Sequence, residues 1–495
     1  MKGVMIQGCT SDAGKSYVAT ALCRALKNRG YSVCPYKSQN MANNSYVTWD
    51  GKEIGRSQGV QAEAAGLRGE TYMNPILLKP QKDLGAEIVL FGEVYRSLPG
   101  ESYGRDFAMD KGLKAAREGL KIIREKYDVI VAEGAGSPAE VNLNDREIVN
   151  MRIANEADLP VLLVVDINRG GAFASVVGTL ELLGKDRERV KGIIINQFYG
   201  DVAYFGDGVR WLEEYTGVKV CGILPHLEGV HLEGEDSLSV DYYHRNGGTN
   251  GLRIGVAELP FVSNYTDMEI FRCEPDLSVF PVNAENGPEG LDAVILPGTK
   301  STIGDLRYLE KTGLAEKLKD FPGYIFGICG GYQIMGEELI DEEGVDLKPG
   351  TKAKGLSLLP LTTEFHASKR VTQSEGKGIH PLTEGLTVNG YEIHMGRSER
   401  TGETALPLWS VDGADEGLAT ADLRRGGSYL HNIFHNDEFR TMWLNLLRKE
   451  KGLPLGNVID TAAAKEEQYE ALAAHVEKHL DMDYIIDLIE SGSME

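Results

Sequence analysis

The sequence predicts an α/β protein of two domains in series, and three observations predict it. Near-continuous apolar strands alternate with helical stretches, as in parallel sheets covered on both faces. A glycine loop joins the first strand to the first helix. A second strand-to-helix turn with flanking glycines surrounds Cys329. At 495 residues the chain is too long for one ordinary core and long enough for two or three.

The first series starts with a strand over Gly3–Gly8, a helix over Lys15–Arg29 and a strand over Tyr31–Lys37. Further strands are expected at Asp128–Glu133, Pro160–Asp166, Val190–Asn196 and Val218–Pro225. The stretch from His226 to Gly251 is rich in Gly, Asp, Glu and His and reads as a linker. A second series follows with strands at Leu252–Leu259, Leu291–Pro297 and Gly323–Ile328, then a strand-rich region to His431. After Asp460, a plausible N-cap, Tyr469, Leu472, Val476 and Leu480 recur at helical spacing and predict a packed terminal helix. The expected division is an N-terminal domain over 1–225, a linker over 226–250, a second domain over 251–447 and a helical segment over 448–495.

Composition is that of a globular protein, with 42% hydrophobic and 25% charged residues. The formal charge of −22 argues against nucleic acid or an anionic membrane as partner, since both require a basic face. No apolar run is long enough to span a bilayer, and the N-terminus turns into a glycine loop where a signal peptide would run on, so a cytoplasmic protein is expected. The six cysteines are scattered without a C-x-x-C pair, which disfavours disulfides and structural zinc.

Gly8-Cys-Thr-Ser-Asp-Ala-Gly14-Lys15-Ser16 lies directly after the first strand and opens the first helix. Its backbone N–H groups and the helix N-terminus can cradle phosphate oxygens. Lys15 would neutralise β/γ-phosphate charge and the Ser16 hydroxyl would ligate Mg²⁺. The spacing departs from the standard loop, with five residues between Gly8 and Gly14. Gly8, Asp12, Gly14, Lys15, Ser16 and Lys37 are the expected ATP-binding set, and Glu133 joins Ser16 as a metal-ligand candidate. Asp166 and Arg169 also end a strand of this sheet, where a solvated loop charge is an equal reading.

Around Cys329 the sequence reads Gly327-Ile-Cys-Gly330-Gly331-Tyr-Gln333, at the end of an apolar strand and the start of a helix. Such an elbow holds a nucleophile in the open, and the helix N-terminus favours thiolate. Gly298, after another strand, and Gly330 can supply the two N–H donors of an oxyanion hole. His431 is the natural base, with His435 its rival.

With these residues in place, the chain resembles the cobyric acid synthase family. The resemblance runs from Gly8 to about Leu447 and is carried by "SDAGKS", "KSQNMANNSYVT", "DGKEIGRSQGVQAEAAG", "MNPILLKP", "EGAGSPAEVNL", "DINRGGAF", "FGICGGYQIMG", "YEIHMGRS" and "YLHNIFHN". It implies a dethiobiotin-synthetase-like P-loop domain joined to a class I type glutamine amidotransferase domain. It also implies the reaction: ATP activates side-chain carboxylates of a corrinoid, adenosylcobyrinic acid a,c-diamide, and ammonia from L-glutamine displaces phosphate. By motif, Cys329 is the nucleophile and His431 its partner. The wider amidotransferase class follows this histidine with Pro-Glu, whereas Asn432 and Ile433 stand here, so the third member is open, with Glu392 a weak candidate. The competing readings are a cobyrinic acid a,c-diamide synthase, a partition-type deviant P-loop ATPase, and a dead glutaminase serving as a binding module. The order of amidation, the oligomeric state, the ammonia route and the corrinoid-binding residues are not written in the sequence.

Overall fold

The computed structural model describes the chain except for residues 43–44, 81–85, 99–106, 231–242, 247, 249, 265 and 493–495. Part of the "KSQNMANNSYVT" stretch and most of the expected linker 226–250 therefore lie outside the described residues. The chain divides into two compact units, Met1–Glu235 with Ala462–Glu495, and Asp236–Thr461.

The first unit is organised on six parallel strands: β1 (Gly3–Gly8), β2 (Val33–Tyr36), β3 (Val129–Glu133), β4 (Val161–Asp166), β5 (Val190–Phe198) and β6 (Lys219–Pro225). Their order across the sheet is β6-β5-β4-β1-β3-β2. β1, β2 and β3 are buried at every residue, which explains their lack of polar alternation. The register sets Gly8 beside Val164 and Ile6 beside Glu133, so the loop after β1 and the carboxylate ending β3 emerge at the same sheet edge. Helix α1 (Lys15–Asn28) packs on this sheet through Val18, Leu22, Ala25 and Leu26.

Between β2 and β3 lies an insertion that strand periodicity did not reveal. It contains a four-stranded sheet ordered Gln39–Met41, Ile76–Pro80, Ala86–Leu90, Glu93–Leu98, a hairpin of Ser45–Val47 with Glu53–Gly55, and helix α2 (Arg56–Ala64). Its strands are only three to six residues long, too short to show a periodicity of their own.

The second unit holds parallel strands β7 (Leu252–Ala257), β8 (Leu277–Val282), β9 (Ala293–Leu296), β10 (Tyr324–Ile328) and β11 (Arg425–Ser428), in the order β8-β7-β9-β10-β11. Antiparallel strands continue the sheet beyond β11, including the long pair Leu361–Gly378 and Thr387–Arg400. Phe326, Phe434, Phe439, Trp409 and Trp443 interlock in the core beneath β10, with ring centroids 5.0–6.3 Å apart. Truncating one such ring costs about 3–5 kcal/mol.

The C-terminus differs from the expected 448–495 segment. Helix Asp437–Lys451 runs on past Leu447, and two helices follow, Thr461–His479 and Met482–Ser491. These two belong to the first unit, where Tyr469, Leu472, Val476 and Ile485 are buried against α1 and the sheet. Arg24 of α1 is bound by Glu466 and Glu470 there. No described helix is long and apolar enough to cross a membrane.

Candidate functional site

The first site gathers at the carboxyl ends of β1, β2 and β3, where loops of an open parallel sheet converge. Gly14 closes the phosphate loop with φ +95, and a Cβ there would lie 2.0 Å from Asn196 Nδ2. Asn196, from the end of β5, donates to the Ala13 carbonyl at 3.0 Å and so braces the loop from behind. Lys15 Nζ donates to the carbonyl oxygens of Gly136 (2.9 Å) and Thr10 (3.1 Å), curling back over the loop. Ser16 Oγ donates to Glu133 Oε1 at 2.9 Å, and Lys37 Nζ donates to the same oxygen at 2.9 Å. Gln61 Nε2 donates to the other oxygen, Oε2. Burial opposes the Glu133 charge, but Lys37, Gln61 and Ser16 hold its pKa below the ordinary carboxylate value.

Gly8, Gly14, Lys15, Ser16, Lys37 and Glu133 are thus one cluster. Asp12 is not part of its interior: its side chain is 78% exposed and pairs with Arg169 at 3.3 Å. Arg169 also pairs with Asp166 at 3.2 Å, so this trio forms an ion network at the rim. Ser16 Oγ and Glu133 Oε1 are adjacent hard oxygens, the donor type that Mg²⁺ takes beside phosphate oxygens.

The second site is built on the turn between β10 and helix Gly330–Ile334. Cys329 sits at φ 50, ψ −109, a conformation strained for any residue with a Cβ. The turn closes because its glycines allow contact: a Cβ on Gly331 would lie 2.0 Å from Leu296 O, and one on Gly327 2.6 Å from Tyr332 N. Gly298 faces the histidine so closely that a Cβ would meet His431 Cε1 at 2.8 Å. The Gly330 N–H opens the helix and has no intrahelical acceptor. Both expected oxyanion donors therefore border the Cys329–His431 space.

His431 is 1% exposed, and its Nδ1 bonds Asp267 Oδ2 at 2.7 Å. Asp267 Oδ1 accepts the Asn432 N–H at 2.6 Å, which fixes the carboxylate. Asn264 Nδ2 lies 3.2 Å from His431 Nε2, and the Tyr391 ring stacks on the imidazole at 5.1 Å. Burial alone would lower the His431 pKa, but Asp267 and Cys329 outweigh it and raise it to about 10. An imidazolium so held favours the adjacent sulfur as thiolate.

Asp267 corrects the expectation about the third member. Glu392 bonds His394 Nε2 (3.0 Å), Ser374 Oγ (2.8 Å) and Arg370, and none of these is His431. Burial opposes its charge, and these partners hold its pKa low. Glu392 instead lines a cavity of about 670 Å³ with Tyr332, Arg397, Glu416 and Tyr429. Its wall includes Tyr332 and Tyr429, and Tyr429 Oη accepts from Gln333 Nε2 at 3.1 Å, while Cys329 Sγ lies 3.5 Å from the carbonyl of Ile393. Asp267, Asn264 and Asn196 escaped the sequence reading: Asn196 lies near the end of β5, and Asn264 and Asp267 lie in the segment between β7 and β8, where no local motif marks them.

A nucleotide-type phosphate loop and a Cys–His–Asp glutaminase array in one chain define a glutamine-dependent, amide-forming ligase. The family model for the CobQ/CobB/MinD/ParA nucleotide binding domain matches residues 4–240, and that for the CobB/CobQ-like glutamine amidotransferase domain matches 253–439. The chain is 45% identical over 488 residues to a protein of Geobacillus thermodenitrificans (strain NG80-2) named cobyric acid synthase, covering 97% of each. It is 43% identical to a Nostoc sp. (strain PCC 7120 / SAG 25.82 / UTEX 2576) protein of that name, covering 97% of this chain and 99% of the other. It is also 41% identical to a probable cobyric acid synthase of Methanothermobacter thermautotrophicus (strain ATCC 29096 / DSM 1053 / JCM 10044 / NBRC 100330 / Delta H), covering 99% of both. The chain belongs to the cobyric acid synthase family, amidating enzymes of cobalamin biosynthesis.

Proposed function

We propose that the protein uses ATP, Mg²⁺ and L-glutamine to amidate several side-chain carboxylates of adenosylcobyrinic acid a,c-diamide, yielding adenosylcobyric acid. The observation that carries this reading is full-length kinship with proteins named cobyric acid synthase, in a chain whose two clusters hold the groups this reaction needs. In the second unit Cys329 Sγ attacks the glutamine carboxamide, and Gly298 and Gly330 receive the oxyanion. His431 delivers a proton to departing ammonia and then activates water against the thioester. Asp267 holds the ring with Nδ1 protonated, leaving Nε2 toward the sulfur. The neighbouring cavity offers Glu392 to an α-ammonium and Arg397 to an α-carboxylate, which suits the amino-acid end of glutamine.

In the first unit the loop amides, Lys15 and Lys37 position the ATP phosphates. Mg²⁺ bound at Ser16 and Glu133 would offset phosphate charge. Lys37 and Lys15 steady the phosphoryl group as a corrinoid carboxylate becomes an acyl phosphate. Mass spectrometry of the corrinoid after incubation with ATP, Mg²⁺ and glutamine tests the reading. Each amidation replaces OH by NH₂, so a ladder of such steps is expected. An unchanged corrinoid mass overturns the proposal, and a ladder starting from cobyrinic acid itself favours the diamide-forming alternative.

A further inference from the structure

Helix α2 is buried without being apolar. Its sequence RSQGVQAEA carries no hydrophobic stripe, yet Arg56, Ser57, Gln58 and Gln61 are all 5% exposed or less. A helix polar on every side belongs in solvent unless its polar groups have partners inside. Two of them, Gln58 and Gln61, are matched at one end of the amide and not at the other. Gln61 Nε2 donates to Glu133 Oε2, and a carboxylate only accepts, so this bond fixes the amide orientation and turns Oε1 the other way. That oxygen has no hydrogen-bond partner among the described residues. Gln58 Oε1 accepts from Asn40 Nδ2 at 3.0 Å, and its Nε2 likewise has no partner among them.

Gln58 and Gln61 are three residues apart and share a helix face. That face carries an unmatched acceptor on Gln61, whose amide nitrogen is bonded to Glu133 of the Lys37–Glu133 pair, and one turn before it an unmatched donor on Gln58. A carboxylate offers only acceptors, ammonia offers donors, and a carboxamide offers both. The unmatched donor and acceptor are therefore complementary to the reactants and product of amide formation, and among the described residues no hydrogen bond uses either atom.

Resting on the function proposed above, we propose that Gln58 and Gln61 form the acceptor site of the synthase reaction, binding the carboxylate being amidated and the ammonia that attacks it. Gln58 Nε2 and Lys37 Nζ hold the carboxylate. One carboxylate oxygen attacks the γ-phosphorus of ATP, the bond to the β–γ bridging oxygen breaks, and ADP leaves. Gln61 Oε1 accepts an N–H of ammonia and aims its lone pair at the acyl carbon. The C–N bond forms, the C–O bond to phosphate breaks, and one ammonia proton leaves with the phosphate. Carboxamide and hydrogen phosphate result.

The test is steady-state kinetics of the full chain with ATP, Mg²⁺, adenosylcobyrinic acid a,c-diamide and ammonium chloride as nitrogen source, in wild type, Gln61→Met and Gln58→Met. Loss of one buried hydrogen bond should raise KM by roughly tenfold, for ammonium in Gln61→Met and for the corrinoid in Gln58→Met. ADP release should outrun amide formation in Gln61→Met, because the acyl phosphate waits longer for its nucleophile. Should thermal unfolding show that Gln61→Met does not fold, Gln61→Asn withdraws the amide by one methylene and carries the same expectation. If Gln61 merely braces Glu133, KM for ATP and the Mg²⁺ requirement rise while those for ammonium and corrinoid stay put, and the proposal is overturned. Wild type that forms no amide removes the functional reading itself and the acceptor site with it. Wild type that forms amide beside variants with unchanged ammonium and corrinoid KM overturns the acceptor site alone.

Discussion

The two sites of this molecule solve the problem of reactive polar groups in opposite ways. At Cys329 the groups are already ordered by the fold: the elbow is strained, and His431 is bonded to the Asp267 carboxylate, which raises its pKa. At Lys15 the reactive groups are occupied with one another, Lys15 with carbonyl oxygens, and Ser16 and Lys37 with Glu133. Acyl transfer to sulfur needs a preset nucleophile and oxyanion hole, and the fold supplies the strain for it. Phosphoryl transfer brings its own dense charge, so a cluster that is neutralised internally and exchanges partners on binding avoids burying unpaired cations. The Cys329 site is set by backbone geometry, the Lys15 site by exchangeable ion pairs.

The sharpest way to break this comparison is Cys329→Ser. Glutamine-dependent amide formation should fall by roughly 10⁵- to 10⁶-fold, the scale of losing a nucleophile. Synthesis from added ammonia should continue, better at raised pH where more of it is NH₃. Glutamine use by this variant would remove the glutaminase assignment. Next in size is Lys15→Ala, expected to depress amide synthesis by about 10³-fold or more with either nitrogen source, through lost phosphate stabilisation. Basal glutaminase activity should remain measurable, and undiminished synthesis would dissolve the nucleotide site.

Asp267→Asn sharpens the difference within the preset site. The glutaminase kcat/KM should drop by roughly 10²- to 10⁴-fold, because the ring loses its orientation and the stabilisation of its charge. The pH dependence gives a second readout. His431 is raised from 6.5 to about 10, so the imidazolium is present below that value and is lost as pH rises through it. The alkaline limb should lie near pH 10 in wild type and move down in Asp267→Asn. For the same reason, stability contributed by the His431–Asp267 pair is complete below about pH 6.5 and fades as pH climbs through 10. Smallest is His435→Ala. His435 ends a single 3₁₀ turn and His431 holds the bond to Asp267, so glutaminase activity should change by no more than about twofold. A dead His435→Ala beside an active His431→Ala would exchange the two histidines.

What could be read from the chain alone was what a short stretch of residues encodes. Gly14-Lys15-Ser16 and Gly327-Ile-Cys329-Gly330-Gly331 each make a turn from their own glycines, and buried parallel strands announce themselves as unbroken apolar runs. Their placement at strand ends follows from α/β topology, so Lys37 and Glu133 could be added to the first cluster by position alone. Tertiary structure decided everything carried by groups distant in sequence. Asp267 reaches His431 across 164 positions and displaces Glu392, because a carboxylate needs only to arrive at Nδ1, from whichever loop passes by. Asn196 braces Gly14 from across the sheet, and the last helices return to the first unit because their apolar faces match α1. The polar helix α2 shows the same limit from the other side. Its sequence shows no apolar stripe, and only packing beside Glu133 buries Gln61, since hydrophobic periodicity records where a chain hides its apolar surface and not where polar groups are buried.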